Sequence, residues 1–304
     1  MKEHQQQSSL GRAIFAGWSS VGVFVLTAWL ILVAGCTENP FNDDSEKISS
    51  RAISGAVTLN DGAVPKGVYV WLEGLDVGTR TDEQGEFSLV LPPPSSSSAG
   101  SAMDGVFNLY FYVANYAIDT AEVVLVNGEV ARSEGDINDQ SELKQSKQLY
   151  KLLDVVTSVS PQTILFEYWG KMNISVTLNA ISSSVVVESL KKIANRVVFR
   201  TGLVLVDEND QFVKVIGQGS SWDLGLETIR QEQTTWRIRK SWPPCELPVG
   251  VYRFIPYLII RQPNVPQALI ESLGRDAQNL DRSYLNMPFI PRGGKLIVSE
   301  TATG

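Results

Sequence analysis

The residues able to carry chemistry are few, and their spacing suits little of it. A single histidine, His4, is present among 304 residues, ahead of an apolar segment at residues 13–35. Ser-His-Asp triads, Cys-His pairs and histidine metal ligands all need an imidazole, and none remains once that leading segment is removed. The 33 Asp and Glu residues supply many carboxylates. Yet no two of them lie in a stretch that must be buried and convergent, as paired acid catalysis requires. Ser182, Ser183 and Ser184 miss the Ser-x-x-Lys spacing to Lys191 and Lys192 that a lysine-assisted serine enzyme uses. Glu134, Asp136, Asp139 and Glu142 lack a Gly-centred calcium loop and read as a solvated acidic loop. Residues 207–210 read as a polar hairpin turn. The expectation is therefore no enzyme, with no catalytic residue, no metal and no cofactor.

Aromatic side chains are the better candidates for contact. Trp169, Trp222, Trp236 and Trp242 all fall in the second half of the chain, and exposed indoles stack on sugar rings or anchor protein partners. Core or edge packing is the competing use for each. Trp222 and Trp242 are the candidate ligand contacts, because residues 217–221 and Pro243-Pro244 mark loops beside them. Cys245 is expected to be a small buried hydrophobe, with interchain pairing or reactivity as the alternatives.

The elements that would position these residues begin outside the folded body. Lys2 and Arg12 form a charged start, residues 21–33 an apolar middle interrupted by Thr27, and Leu32-Val33-Ala34-Gly35-Cys36 closes it with small residues before a cysteine. This resembles the leader of a bacterial lipoprotein, which implies cleavage before Cys36 and lipidation on it. An uncleaved anchor is the alternative, since residues 13–35 number 23 and about 20 span a bilayer. Either way the basic residues precede the apolar run, placing the chain beyond Cys36 outside the cytoplasmic membrane. Removing residues 1–35 takes away Lys2, Arg12 and Glu3, leaving 269 residues with 24 basic against 32 acidic and a net charge of −8. That balance argues against a nucleic-acid partner. Residues 36–51 are a polar tether. Thr37, where an Asp would suggest inner-membrane retention, favours the outer membrane by the same resemblance.

From Ala52 the pattern has period two. Ile53, Val57 and Leu59, then Val68, Val70 and Leu72, then Phe87 and Leu89 read as strands, with turns at Asn60-Asp61-Gly62 and Asp82 to Gly85. Ile53-Ser54-Gly55, Asp61-Gly62, Gly67-Val68, Thr81-Asp82 and Gly85-Glu86-Phe87 follow the order of a carboxypeptidase regulatory-like domain. That resemblance implies a transthyretin-like β-sandwich over residues 52–155, with residues 150–155 as a candidate last strand and no catalytic groups. Pro92-Pro93-Pro94 and the serines after it read as a surface insertion. Residues 156–304 form the second expected domain. Ile174-Ser175-Val176-Thr177-Leu178 and Leu247-Pro248-Val249-Gly250-Val251-Tyr252 are similar to immunoglobulin-like domains of the intracellular proteinase inhibitor type, which implies a second sandwich. Leu269, Leu273, Ala277 and Leu280 recur at helical spacing after Pro266, predicting a short surface helix within residues 266–284.

The expected fold is all-β: two β-sandwich domains after a lipoprotein signal peptide and a short linker. The expected role is a cell-envelope lipoprotein that binds or scaffolds envelope proteins or glycans, held to the membrane through Cys36. Carbohydrate capture by exposed Trp is the alternative, and an accessory part of an envelope hydrolase is third. Mass spectrometry of the mature chain is expected to find residue 36 first and carrying fatty-acyl mass, with Cys36→Ser leaving the leader uncut. An unmodified Cys36 in a full-length, membrane-inserted chain counts against it.

Overall fold

The computed structural model describes residues 51–93, 104–131, 134–194, 197–217 and 222–300. Cys36, the leader, residues 36–50 of the tether, and residues 94–103 of the Pro/Ser-rich insertion lie outside them. Strands account for 54% of the described residues and helix for 5%, so the class is all-β.

The first lobe contains β1 (Ala52–Leu59), β2 (Tyr69–Leu72), β3 (Val77–Arg80), β4 (Glu86–Val90), β5 (Gly105–Tyr112), β6 (Asp119–Val126), β7 (Glu129–Val130) and β8 (Lys147–Leu149). They form two sheets, ordered β4-β1-β8 and β3-β2-β5-β6-β7. Between these sheets Ile53, Val57, Phe87, Leu89, Phe111 and Val123 close an apolar core, as the alternating pattern requires.

The second lobe contains β9 (Leu153–Ser160), β10 (Thr163–Leu165), β11 (Gly170–Ala180), β12 (Val185–Ala194), β13 (Val197–Thr201), β14 (Leu203–Asp207), β15 (Phe212–Ile216), β16 (Asp223–Ile229), β17 (Thr234–Trp242), β18 (Gly250–Pro256), β19 (Ile259–Arg261), β20 (Arg292–Gly293) and β21 (Lys295–Ser299). Its sheets run β17-β11-β9-β20, β10-β21-β18-β14-β15 and β13-β12-β16, with β19 also paired to β12. Residues 153–155, expected to end the first sandwich, lie instead within β9 and pair with β11. The strand that completes the first lobe is β8, parallel to β1 from Val57 to Leu59.

One turn is built three times. Asp82 Oδ1 accepts from the amides of Gln84 and Glu86, both at 2.9 Å. Asn138 Oδ1 does the same for Gln140 and Glu142, and Asp207 Oδ1 for Asn209 and Gln211. A short acceptor side chain thereby replaces the ladder where the chain reverses. The position three residues on is left-handed in each case: Gly85 at φ 85°, Ser141 at 62° and Asp210 at 59°. At Gly85 a Cβ would stand 2.1 Å from the Val57 carbonyl oxygen, so that turn requires glycine.

A third core joins the lobes. Tyr69, Trp71 and Tyr112 on the outer face of the first lobe and Val204, Val206 and Ile255 on the second pack against Leu269, Leu273, Ala277, Leu280, Tyr284 and Met287. The last six come from the segment joining β19 to β20. It holds α1 (Gln267–Ser272) and a 3-10 turn, Arg282–Asn286. The helix is shorter than its apolar spacing predicts, because Gly274 at φ 124° leaves the helical region. The helix lies at the surface with Leu269 turned inward, and the segment as a whole wedges its buried residues between the sheets. Tyr69 and Ser272 share a hydroxyl hydrogen bond of 2.9 Å across it, and Ala114 N donates to Pro288 O at 2.7 Å.

All three cores lie within the compact unit Ser49–Gly304, so a fragment with those bounds carries its whole apolar interior. Leu269 is fully buried in the wedge. Leu269→Ala is expected to cost about 2–5 kcal/mol, read as a lowered denaturant midpoint with the lobes unfolding together.

Candidate functional site

The Trp222 cleft is assembled from three parts of the second lobe. β12 and β16 place Leu190 opposite Leu224, and Trp222 stands just before β16, half-buried. Tyr257 and the residues Gln278, Asn279, Leu280 and Asp281 of the wedge complete a cavity of about 430 Å³.

Its polar groups are fixed by the fold. Tyr257 OH donates to Gln278 O at 2.7 Å, and its ring tilts against Tyr284 with centroids 5.0 Å apart. Burial, helped by the Glu188 carboxylate, pushes the Tyr257 phenol up to about 12, so it remains neutral at ordinary pH. Asp281 Oδ1 accepts from Ser283 N at 2.6 Å and caps the 3-10 turn. Asn279 donates to Asp276 at 3.1 Å. An indole and aliphatic floor beside amide and carboxylate groups suits a ligand with an apolar face and hydroxyl or amide edges.

The other predicted contact does not reach solvent. Trp242 is 2% exposed, edge-on to Phe254 at 6.3 Å and beneath the Lys214 ammonium at 5.0 Å. The reason is parity: Trp236, Ile238 and Trp242 occupy the inward positions of β17. Trp236 is buried too, with Arg200 stacked 5.4 Å above it and clamped by Glu227 through bonds of 3.0 and 2.7 Å. Trp169, by contrast, is 83% exposed. Cys245 is exposed, not buried; it sits at φ 56° in a turn whose amide donates to Phe166 O.

The expected acidic loops serve the backbone and ion pairs. Asp136 accepts from Glu122 N at 2.9 Å and lies 3.9 Å from Lys147, and Asp210 pairs with Arg253. Among the described residues no group of three or more His, Cys, Asp or Glu is placed to hold a metal ion.

One charged cluster has no counterpart in the sequence pattern. Lys151, 6% exposed, pairs with Asp61 and with Asp154 at 3.3 Å, and Asp154 also holds Arg292. Tyr116 OH donates to Asp61 at 3.0 Å, and its ring lies under the Lys151 ammonium at 5.4 Å. Burial would raise the Asp61 carboxyl, but hydrogen bonds from Lys151, Ala63 and Tyr116 outweigh it and hold it below its ordinary value. Burial and the Asp61 charge raise the Tyr116 phenol. The cluster therefore presents a paired ammonium and a neutral phenol near neutrality, with no free nucleophile among these groups. It ties the turn after β1 to the crossover between β8 and β9.

No family model matches the chain, and no curated protein matches it. Among solved structures it is similar to the crystal structure of Spo0M, a sporulation control protein from Bacillus subtilis, at 12% identity and a TM-score of 0.18. That match covers 36% of this chain and 47% of that one. It is also similar to the Bacillus anthracis TIE protein, at 10% identity and a TM-score of 0.22, over 70% of this chain and 48% of that one. The matches thus span about half the length of each solved chain.

Removing Lys151 leaves two carboxylates without their buried partner, so Lys151→Ala is expected to cost about 3–5 kcal/mol. Because the folded Asp61 carboxyl lies below its unfolded value of 3.8, its contribution is full above that value and lost as pH falls through the folded one. Acid unfolding followed by circular dichroism is expected to be less steep in Asp61→Asn below about pH 4.

Proposed function

We propose that this chain is a cell-envelope lipoprotein, anchored through Cys36 and placed at the outer membrane, whose all-β body is a non-catalytic binding or scaffolding module. The resemblance of the first lobe to carboxypeptidase regulatory-like domains, which implies a structural or recognition module, supports that reading, and the resemblance of the second lobe to immunoglobulin-like domains implies a sandwich beside it. The observation that carries it is the use made of the charged groups. Asp61, Lys151, Asp154 and Arg292, then Arg200 and Glu227, then Lys214 and Glu246 are engaged in pairs that hold turns and strands. Meanwhile the Trp222 cleft is lined by neutral aromatic, aliphatic and amide groups beside one capping carboxylate.

A second reading, carbohydrate capture, is supported by Trp222 sharing that cleft with Gln278, Asn279 and Asp281. Stacking on an indole with amide and carboxylate hydrogen bonds at the ring edge is how a saccharide face is held. Trp242 has no part in it, being buried.

The immobilised fragment Ser49–Gly304 is expected to retain a defined envelope protein from membrane extract, with loss of at least about tenfold in Trp222→Ala if the cleft is the contact. Glycan-array binding abolished by Trp222→Ala, with no protein retained, would replace the first reading by the second. Turnover of an envelope substrate by the same fragment would defeat both.

A further inference from the structure

The outer face of the β17-β11-β9 sheet is unlike the rest of this acidic chain. Lys171, Asn173, Ser175 and Thr177 point outward on β11, and Arg237 and Arg239 on β17, because Met172, Ile174, Val176, Trp236 and Ile238 take the inward parity. The register sets Lys171 opposite Ser241, Arg239 opposite Asn173 and Arg237 opposite Ser175. β9 adds Ser160 and Ser158 to the last two rows. Three cations therefore stand among hydroxyls and amides with no carboxylate in those rows. Arg239 donates to Asn173 at 3.2 Å, a neutral partner. Among the described residues none of the three is ion-paired, although the full chain carries a net charge of −7.

At the Gly170 end of the same sheet several large apolar side chains are exposed, with the exposed carboxylate of Glu167 among them. Trp169 is 83% exposed, Val249 49%, Leu165 41% and Phe166 38%. The bond from Cys245 N to Phe166 O, at 2.9 Å, ties the two loops that carry them. Trp169 lies two positions before Lys171, roughly 7 Å along an extended chain. Most Trp residues of the body are packed away: Trp71, Trp236 and Trp242 are each 3% exposed or less. An exposed indole grouped with Phe, Leu and Val marks a contact surface.

We propose that this end and face dock on an anionic lipid bilayer, with Trp169, Phe166 and Leu165 entering the interfacial layer and Lys171, Arg239 and Arg237 lying against lipid phosphates. The pairing of the two features selects the occupant. A soluble polyanion would satisfy the cations and leave the apolar side chains in water, and a neutral bilayer would do the reverse. An anionic bilayer meets both, and an indole ring favours the headgroup level. The contact is additional to the anchor and independent of acylation at Cys36.

The fragment Ser49–Gly304, which lacks Cys36, is mixed with vesicles of phosphatidylglycerol or of phosphatidylcholine and followed by flotation and tryptophan emission. Binding to the anionic vesicles, weakening as salt is raised, is expected with a blue shift that disappears in Trp169→Ala. The triple variant Lys171→Gln, Arg237→Gln, Arg239→Gln is expected to bind about a hundredfold more weakly, near fivefold per cation. All four side chains are on the surface, so unchanged thermal unfolding accompanies both variants. No binding to anionic vesicles, or equal binding to both vesicle types, overturns the proposal. So does retention of dextran sulfate at wild-type strength by Trp169→Ala when vesicles are ignored, which would make the face a soluble-polyanion site. Each of these results leaves the protein-capture test of the Ser49–Gly304 fragment standing on its own.

Discussion

The strip of chain between β19 and β20 is what makes two sandwiches into one body. On one side of it lie Tyr69, Trp71 and Tyr112, and on the other Val204, Val206 and Ile255. Each large aromatic buries on the order of 150–250 Å², and without the wedge two sheet faces would meet water. Burial of this size is worth a few kcal/mol per side chain, so the three together are comparable to the whole net stability of a domain, about 5–15 kcal/mol. The wedge also sets the cleft, since Gln278, Asn279, Leu280 and Asp281 belong to it. The position of Trp222 relative to those residues is therefore a property of the seam.

Polar groups finish what the apolar layer begins. Asn115 is fully buried, yet its side-chain amide donates to Ile290 O at 3.0 Å and its Oδ1 accepts from Ile290 N at 3.2 Å. Its carbonyl receives the amides of Leu152 and Leu153. One residue of the first lobe thus fixes both the end of the wedge and the crossover into the second. Gln262 acts similarly, donating to the carbonyls of Ala114 and Tyr116 and accepting from Ile118 N. Buried and half-buried polar groups satisfied in this way define a single arrangement of the lobes, where an apolar layer alone tolerates sliding.

What was legible in the sequence was local. Period two gives β1, β4 and β11, and Asp82 with Gly85 gives a turn whose hydrogen bonds are those the residue types imply. The seam was harder to read, although it leaves a mark. β2 (YVWL) is buried throughout, and so are the first four residues of β14 (LVLV), so neither strand has a wet side. A continuous apolar run in an otherwise alternating sandwich is the signal of a second covered face. The Trp242 assignment failed through attention to loops over parity. Trp242 precedes Pro243, yet it shares its phase with Trp236 and Ile238; Trp169 shares its phase with the outward Lys171. The Lys151 cluster draws on residues 61, 116, 154 and 292, which no pattern within a window brings together.

The wedge comes late in the chain, and that order has a consequence for biogenesis. A chain synthesised from its N-terminus presents β1 to β8 long before residues 265–289 emerge. Until they do, Tyr69, Trp71 and Tyr112 lack the wedge residues that bury them. The N-terminal sandwich is therefore a half-finished object for most of synthesis, with one apolar flank that is covered only by the final stretch of polypeptide.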